Sequence, residues 1–445
     1  MSIKHSGYLC RHITITLLIV LYFEYGYIYQ KLTSTKNLFS RPNSTSDFKH
    51  IQKRLYTELP NQSTFLYSAF IHSELYPQVI QDAKKVVILA WQRRSVIHRI
   101  LKCCILNDGK QPQMLEVIED DKGWYDIPLM VRRVACRIGD DNSVISRVSL
   151  TTLNFPCSLY HKHYIKPTIL LRENEEKMAM CNKYLYRSVN ATRLVEWIEV
   201  HRFFGVDKFT VHYHPNLDPF AKRVIHFYER EGIMETLALK GPPTEGRKKL
   251  HLFNDEHLAL LDCKERHRHF KFAIDIDRDE FLVPNVIREK ELKLFLMEAF
   301  KQKKVGVLSL YVSVHITSWK PTNTTHPMLL GQYEDATHPL IDRIKNVYMP
   351  SRVYLQRGYI HDTFPKEGFT REFIDPDKIL LHHFRTCRPQ WNSSSPIKKY
   401  KNGKIETIKA TCGTFSKVRY ESVKALSNIN TITEQVQKVS TTLRI

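Results

Sequence analysis

The stretch Phe272-Ala-Ile-Asp-Ile-Asp-Arg-Asp-Glu-Phe-Leu-Val-Pro284 constrains this chain more than any other. It opens apolar, sets acids at alternate positions (Asp275, Asp277 and Asp279), and turns apolar again before Pro284. Alternation is the period of a strand, so the three odd-numbered carboxylates are expected on one strand face and Glu280 on the other. Carboxylates gathered at the end of a buried strand repel one another and call for a cation. Hard oxygen ligands at this spacing suit Mg²⁺ or Mn²⁺, ions that also take phosphate oxygens from a substrate. A solvated acidic turn would show the same D-x-D, but its flanks would not be this apolar.

Strand and helix signals alternate on both sides of this stretch. Leu194 to Phe204 carries a helical apolar pattern closed by Gly205, and Lys208 to Tyr213 reads as a strand. Asp218-Pro219 caps and opens a helix running to Gly232, and Met234 to Leu239 is the next strand. An amphipathic helix over Asn254 to Arg268 leads into the strand that carries the acids. Past Pro284 come a charged helix (Arg288 to Lys304), a strand (Val305 to Val314) and a long loop to Gln332 that holds Trp319, a candidate platform for a sugar ring. Strand-helix-strand repetition predicts an α/β fold with a mostly parallel sheet flanked by helices, and ligands at the carboxyl ends of the strands. The acid cluster sits at such an end. Lys240 to Lys249 is a Gly- and Pro-rich basic loop, and Lys248 within it is a candidate for meeting a diphosphate.

Upstream the texture differs. From Phe65 to about Tyr164, short β-branched and apolar runs broken by turns predict a small antiparallel module. Nearer the start, Ile13 to Tyr29 is apolar over about 17 residues, enough for a membrane span, with Lys4 and Arg11 before it. No small-x-small cleavage pattern follows, so an uncleaved signal anchor is expected, with the bulk of the chain lumenal. Five N-x-S/T sequons beyond it, at Asn43, Asn61, Asn190, Asn323 and Asn392, agree with that side. So do eight cysteines after the anchor, which predict at least two disulfides. No C-x-x-C pair points to structural zinc. The expected organisation is a cytosolic tail (1–12), the anchor (13–29), a polar stem (30–64), the β-rich module (65–165), the catalytic part (166–395) and a basic C-terminal tail (396–445).

The net charge of +21 over 445 residues admits nucleic acid, an anionic membrane surface or small polyanions such as nucleotide-sugars. The cations are scattered and form no compact basic arm, so no nucleic-acid partner is expected.

Several of these segments match a known family in order. Cys181 to Tyr186, then Glu196-Trp197-Ile198-Glu199-x-His201-Arg202-x-Phe204-Gly205-Val206-x-x-Phe209, resembles the start of the catalytic domain in glycosyltransferase family 92. Phe227-Tyr228-x-x-Glu231-Gly232, the core Asp277 to Phe281, Met349-Pro350-x-x-Val353 with His361, and Leu381-His382-His383-Phe384-Arg385 continue the resemblance, and Phe65 to Ala69 is similar to the opening of that family's lumenal part. It spans roughly residues 65 to 390. The resemblance implies a type II Golgi membrane enzyme with a GT-A fold, transferring a hexose, commonly galactose from UDP-galactose, to a glycan or glycoprotein with inversion and using Mn²⁺. By position, Asp277 and Asp279 would bind metal and donor diphosphate, with Asp275 two residues earlier as a further donor contact. Of His361, His382 and His383, His383 is the preferred third metal ligand. An inverting enzyme needs a base for the acceptor hydroxyl. Glu280 and Asp335 are the candidates, with Glu334 and Asp362 equally open. An inactive, lectin-like relative and a metal-dependent hydrolase are the other readings; the intact acids argue against the first, and the lack of further His and Asp clusters against the second.

Overall fold

The computed structural model describes residues 55–60, 63–72, 85–123, 128–139, 145–170, 176–243, 248–285, 288–301, 304–357, 360–387, 396–401, 403–409, 411–420 and 429–445. The expected cytosolic tail, anchor and most of the stem lie outside them. Among the described residues no helix is long and apolar enough to cross a membrane.

The first part is built of strands: β1 (Thr57–Glu58), β2 (Thr64–His72), β3 (Lys85–Arg93), β4 (Leu101–Asn107), β5 (Gln113–Leu115), β6 (Val117–Lys122), β7 (Leu129–Arg137), β8 (Ile145–Thr152) and β9 (Thr168–Leu170). One sheet runs β1-β2-β3-β7-β6 with β9 beside β2, and a second runs β5-β4-β8. Every pair is antiparallel except β2 with β9. β3 is apolar from Val86 to Trp91 because both its faces are covered there. Val86, Ile88 and Ala90 pack with Cys103 and Val148 of the second sheet, while Val87, Leu89 and Trp91 pack with Tyr184, Leu258 and Leu261 further along the chain. The β-rich part therefore shares a core with the α/β part, and Arg54–Ile445 forms one compact unit.

The strands after β9 are β10 (Met178–Leu185), β11 (Lys208–Tyr213), β12 (Met234–Ala238), β13 (Phe272–Ile276), β14 (Glu280–Pro284), β15 (Val305–Ile316), β16 (Asp335–Thr337), β17 (Leu340–Tyr348), β18 (Thr370–Phe373), β19 (Ile379–Arg385), β20 (Ile397–Lys401), β21 (Lys404–Ile408) and β22 (Lys417–Arg419). The helices are α1 (Ala191–Phe203), α2 (Pro219–Arg230), α3 (Lys248–Arg266), α4 (Glu291–Ala299), α5 (Leu329–Gln332) and α6 (Ile429–Leu443). Local chemistry sets the helix ends. The Asn190 side chain accepts from the Arg193 N–H at 2.9 Å, and Gly205 at φ +105° lets the chain leave α1. At α2 the Asp218 carboxylate accepts from Phe220 and Ala221 N–H, ahead of Pro219 in the first turn.

The main sheet is ordered β12-β11-β10-β13-β17-β15-β19-β14. β12, β11, β10 and β13 are parallel, and the rest is mixed: β17 is antiparallel to both neighbours, β19 parallel to β15, and β14 antiparallel to β19. The sheet is thus α/β but mixed, where a mostly parallel one was expected. Helical crossovers force parallel pairing only as far as β13; beyond it the neighbours are set by contacts such as Glu280 opposite His383, which no local period reveals.

β13 and β14 are adjacent in sequence but four strands apart in the sheet. Flat, that separation is about 19 Å, whereas the four peptide units from Ile276 to Glu280 reach at most about 14 Å. The sheet must curl. Its curl wraps β17 and β19 around the turn Asp277–Asp279.

The expected basic tail is instead folded into the molecule. β20 and β21 form a hairpin, β22 pairs with β16, and α6 buries Ile429, Ile432, Val436 and Val439 in the main core near Val200 of α1 and Phe204 at its end. All eight cysteines expected to be lumenal are bridged: Cys103–Cys136, Cys104–Cys157, Cys181–Cys263 and Cys387–Cys412.

Candidate active site

A cleft of about 460 Å³ opens where β10 and β13 end, between the acid turn and the residues that the curled sheet brings over it. The strand period that set the expectation for the acids stops at Ile276. Past it the chain turns, and the alternation is lost. Asp275 therefore does not share a face with the others. It is 2% exposed, accepts from the Tyr348 hydroxyl at 3.1 Å, sits 3.5 Å from Lys264 Nζ, and does not line the cleft. Glu280, expected on the opposite face, joins Asp277 and Asp279 in the cleft wall for the same reason.

Glu280 organises the turn. Its Oε2 accepts from the Asp277 N–H at 2.8 Å and meets Lys345 Nζ at 3.0 Å. Lys345, fully buried on β17, also donates to Asp277 Oδ2 at 2.9 Å. Burial would raise the Asp277 carboxyl, but the Lys345 and Lys183 cations outweigh it and hold the pKa below the usual range. Glu280 goes the other way: burial dominates, the neighbouring Asp277 and Asp279 charges add to it, and its pKa is raised. Burial opposes the charge on Lys345 as well, yet the two carboxylates keep its pKa raised.

His383 of β19 pairs directly opposite Glu280 of β14, with Nε2 3.4 Å from Asp279 Oδ2 and Nδ1 3.4 Å from Glu280 Oε1. His361 also lines the cleft, its pKa pushed down to about 3 by burial and then by Lys345. His382 faces away, buried against His315 at 2.9 Å. Asp335 does not line the cleft: on β16 it faces β22, 3.5 Å from Arg419 and 3.8 Å from Lys417. Lys248 opens α3, and its side chain lies outside the described residues. Trp319 donates to the Cys412 carbonyl and has the Lys417 ammonium 4.8 Å over its ring, apart from the cleft.

Sequence reasoning missed most of the basic lining. Lys183, Arg187, Arg278, Arg343 and Arg385 face the cleft. It also missed Glu256 of α3, which meets Lys183 at 2.8 Å and has its pKa raised by burial. Arg278 and Arg385 stand within the acidic and His-His motifs, and that was the available signal. Among the described residues, the one set of three His, Cys, Asp or Glu side chains whose ligand atoms converge within 4.8 Å is Cys181, Cys263 and His267, whose sulfurs are spent in a disulfide.

The family model of Glycosyltransferase family 92 matches residues 176–425. The chain belongs to glycosyltransferase family 92. No curated protein matches it. As a family 92 glycosyltransferase, the chain carries within the matched region every cleft residue named above, and β20 to β22 as well, which the expected boundary at 395 left out. The β-rich part, including Phe65 to Ala69, lies before the matched residues.

Proposed function

We propose that the cleft transfers a hexose, galactose from UDP-galactose in the first instance, to a glycan acceptor with inversion. The observation that carries this is the acid turn Asp277–Glu280, held by Lys345 and His383 at the carboxyl ends of parallel strands, in a family 92 glycosyltransferase. Four parallel strands continued by a mixed set support a GT-A-like reading of the fold.

In the transfer, an acceptor hydroxyl oxygen bonds to the sugar C1 as the bond from C1 to the diphosphate oxygen breaks, its electron pair leaving with the diphosphate. The hydroxyl proton passes to a carboxylate of the cleft, either Glu280 or Glu256; Asp335 is too differently placed to serve. Asp277, Asp279 and His383 would hold Mn²⁺. Two carboxylates and an imidazole are a donor set that suits the ion, and Lys345 engages one oxygen of Asp277 while the Asp277 and Asp279 side chains remain 28% and 45% exposed. When bound, the ion would offset charge growing on the leaving diphosphate. The apolar N-terminal run and the sequons support a type II Golgi placement with this cleft in the lumen.

The test is a nucleotide-sugar panel with Mn²⁺, scored for nucleotide release with and without glycan acceptors, on wild type and the double variant Asp277→Asn, Asp279→Asn. Both changes lie in a turn, so the fold should survive. Transfer should fall by about 100-fold or more, equivalent to about 3 kcal/mol of transition-state stabilisation. Equal turnover would reduce the acid turn to a solvated loop.

A further inference from the structure

The cleft holds more cations than its acids use. Lys183 is taken by Glu256, and Lys345 by Asp277 and Glu280. Arg187, Arg278 and Arg343 line the same cleft, and among the described residues none of the three meets a carboxylate at ion-pair distance. Arg385 lines the cleft too, its pKa lowered by burial and further by the Arg343 charge beside it. Guanidinium groups facing one space repel one another, and an anion in that space relieves the repulsion.

The backbone adds an independent observation. Only four described non-glycine residues have positive φ, and two of them, Arg187 at +62° and Arg343 at +50°, stand on this cleft. A side chain with a Cβ resists that region, so the surrounding structure must impose it. At Arg343 the cause is visible. The pairing of β17 with β15 jumps between Leu310 opposite Lys345 and Val312 opposite Leu340, so β17 bulges across Arg343 and re-aims it. Arg187 follows the register break in β10 after Asn182.

We propose that Arg187, Arg278 and Arg343 form an anion clamp that takes the diphosphate of the donor without needing a divalent ion. The inference rests on reading the cleft as a nucleotide-sugar site and deepens it by assigning the leaving group to this chain's own cations. A diphosphate fits better than a single phosphate, because the arginines come from three separate stretches of the chain and guanidiniums pair best with several oxygens at once. Being in place before reaction, they would stabilise charge on the departing diphosphate oxygen as the bond to C1 breaks.

The experiment is calorimetric titration of inorganic pyrophosphate into the full chain in EDTA, for wild type, Arg187→Gln, Arg343→Gln and Arg343→Gly. Wild type should bind, and each variant should lose about tenfold or more in affinity, the scale of a charged hydrogen bond. Glycine adopts positive φ freely, so Arg343→Gly should keep or raise the thermal midpoint while losing pyrophosphate. Absence of binding to wild type in EDTA, or equal affinities across the set, overturns the clamp. Arginine-dependent binding in a protein that transfers no sugar from any nucleotide donor upholds the clamp and sinks the transfer reading.

Discussion

Lys345 is the residue on which the candidate site is balanced. It is completely buried and neutralises Asp277 and Glu280 together, at 2.9 and 3.0 Å. Removing it strands a carboxylate, Glu280, that is itself 1% exposed. Lys345→Met should therefore cost about 3–5 kcal/mol in urea denaturation. Adding Glu280→Gln to that variant removes the stranded charge, and the pair should recover a substantial part of the loss. A double variant no more stable than Lys345→Met would show that Glu280 does not depend on the ammonium. Nothing in Asp342-Arg-Ile-Lys-Asn346 marks this lysine in sequence, where it reads as one more cation of a +21 chain.

At the scale of elements, α6 is the piece whose role was least expected. Its buried residues, Ile429, Ile432, Val436 and Val439, are spaced three, four and three apart, one stripe of a helix. That stripe closes the main core over α1. Ile432→Ala should lower the folding free energy by about 2–5 kcal/mol, read from the denaturant midpoint, while exposed Gln437→Ala on the same helix should stay within about 0.5 kcal/mol. Similar midpoints for the two would mean that α6 only rests on the surface. The periodicity was present in the sequence, but a count of basic residues obscured it. Helix boundaries elsewhere were legible because their signals are local: Asp218-Pro219 opens α2 and Gly205 follows α1 as expected.

Across the whole molecule, four disulfides bind distant parts of the chain. Cys181–Cys263 joins β10, which ends at the cleft, to α3, which carries Glu256, and closes a separation of 82 residues. Replacing both cysteines by alanine should cost about 4 kcal/mol through the freed unfolded chain. Thiol labelling of denatured, unreduced protein should find Cys10 alone among its nine cysteines. Two or more labelled thiols would break this pairing scheme.

The sequence by itself determined the α/β class, the run of helices and strands from α1 through β11, α2, β12 and α3 to β13, the oxidised cysteines, and Asp277 and Asp279 as the residues to examine. Each follows from information within a few neighbours: a period of two or of 3.6 residues, a cap, a proline, an acidic motif at a strand end. Tertiary structure alone decided that the sheet is mixed and curled, that Asp275 is withdrawn to Lys264 and Tyr348, and that Glu280 turns inward to Lys345. It also brought Arg187, Arg278 and Arg343 to one cleft from three separate stretches of the chain. The physical reason is that a charge has no sequence period. Where it ends up depends on which strand the hydrogen-bonded sheet sets beside it, and that neighbour stands about a hundred residues away, as His383 does from Glu280.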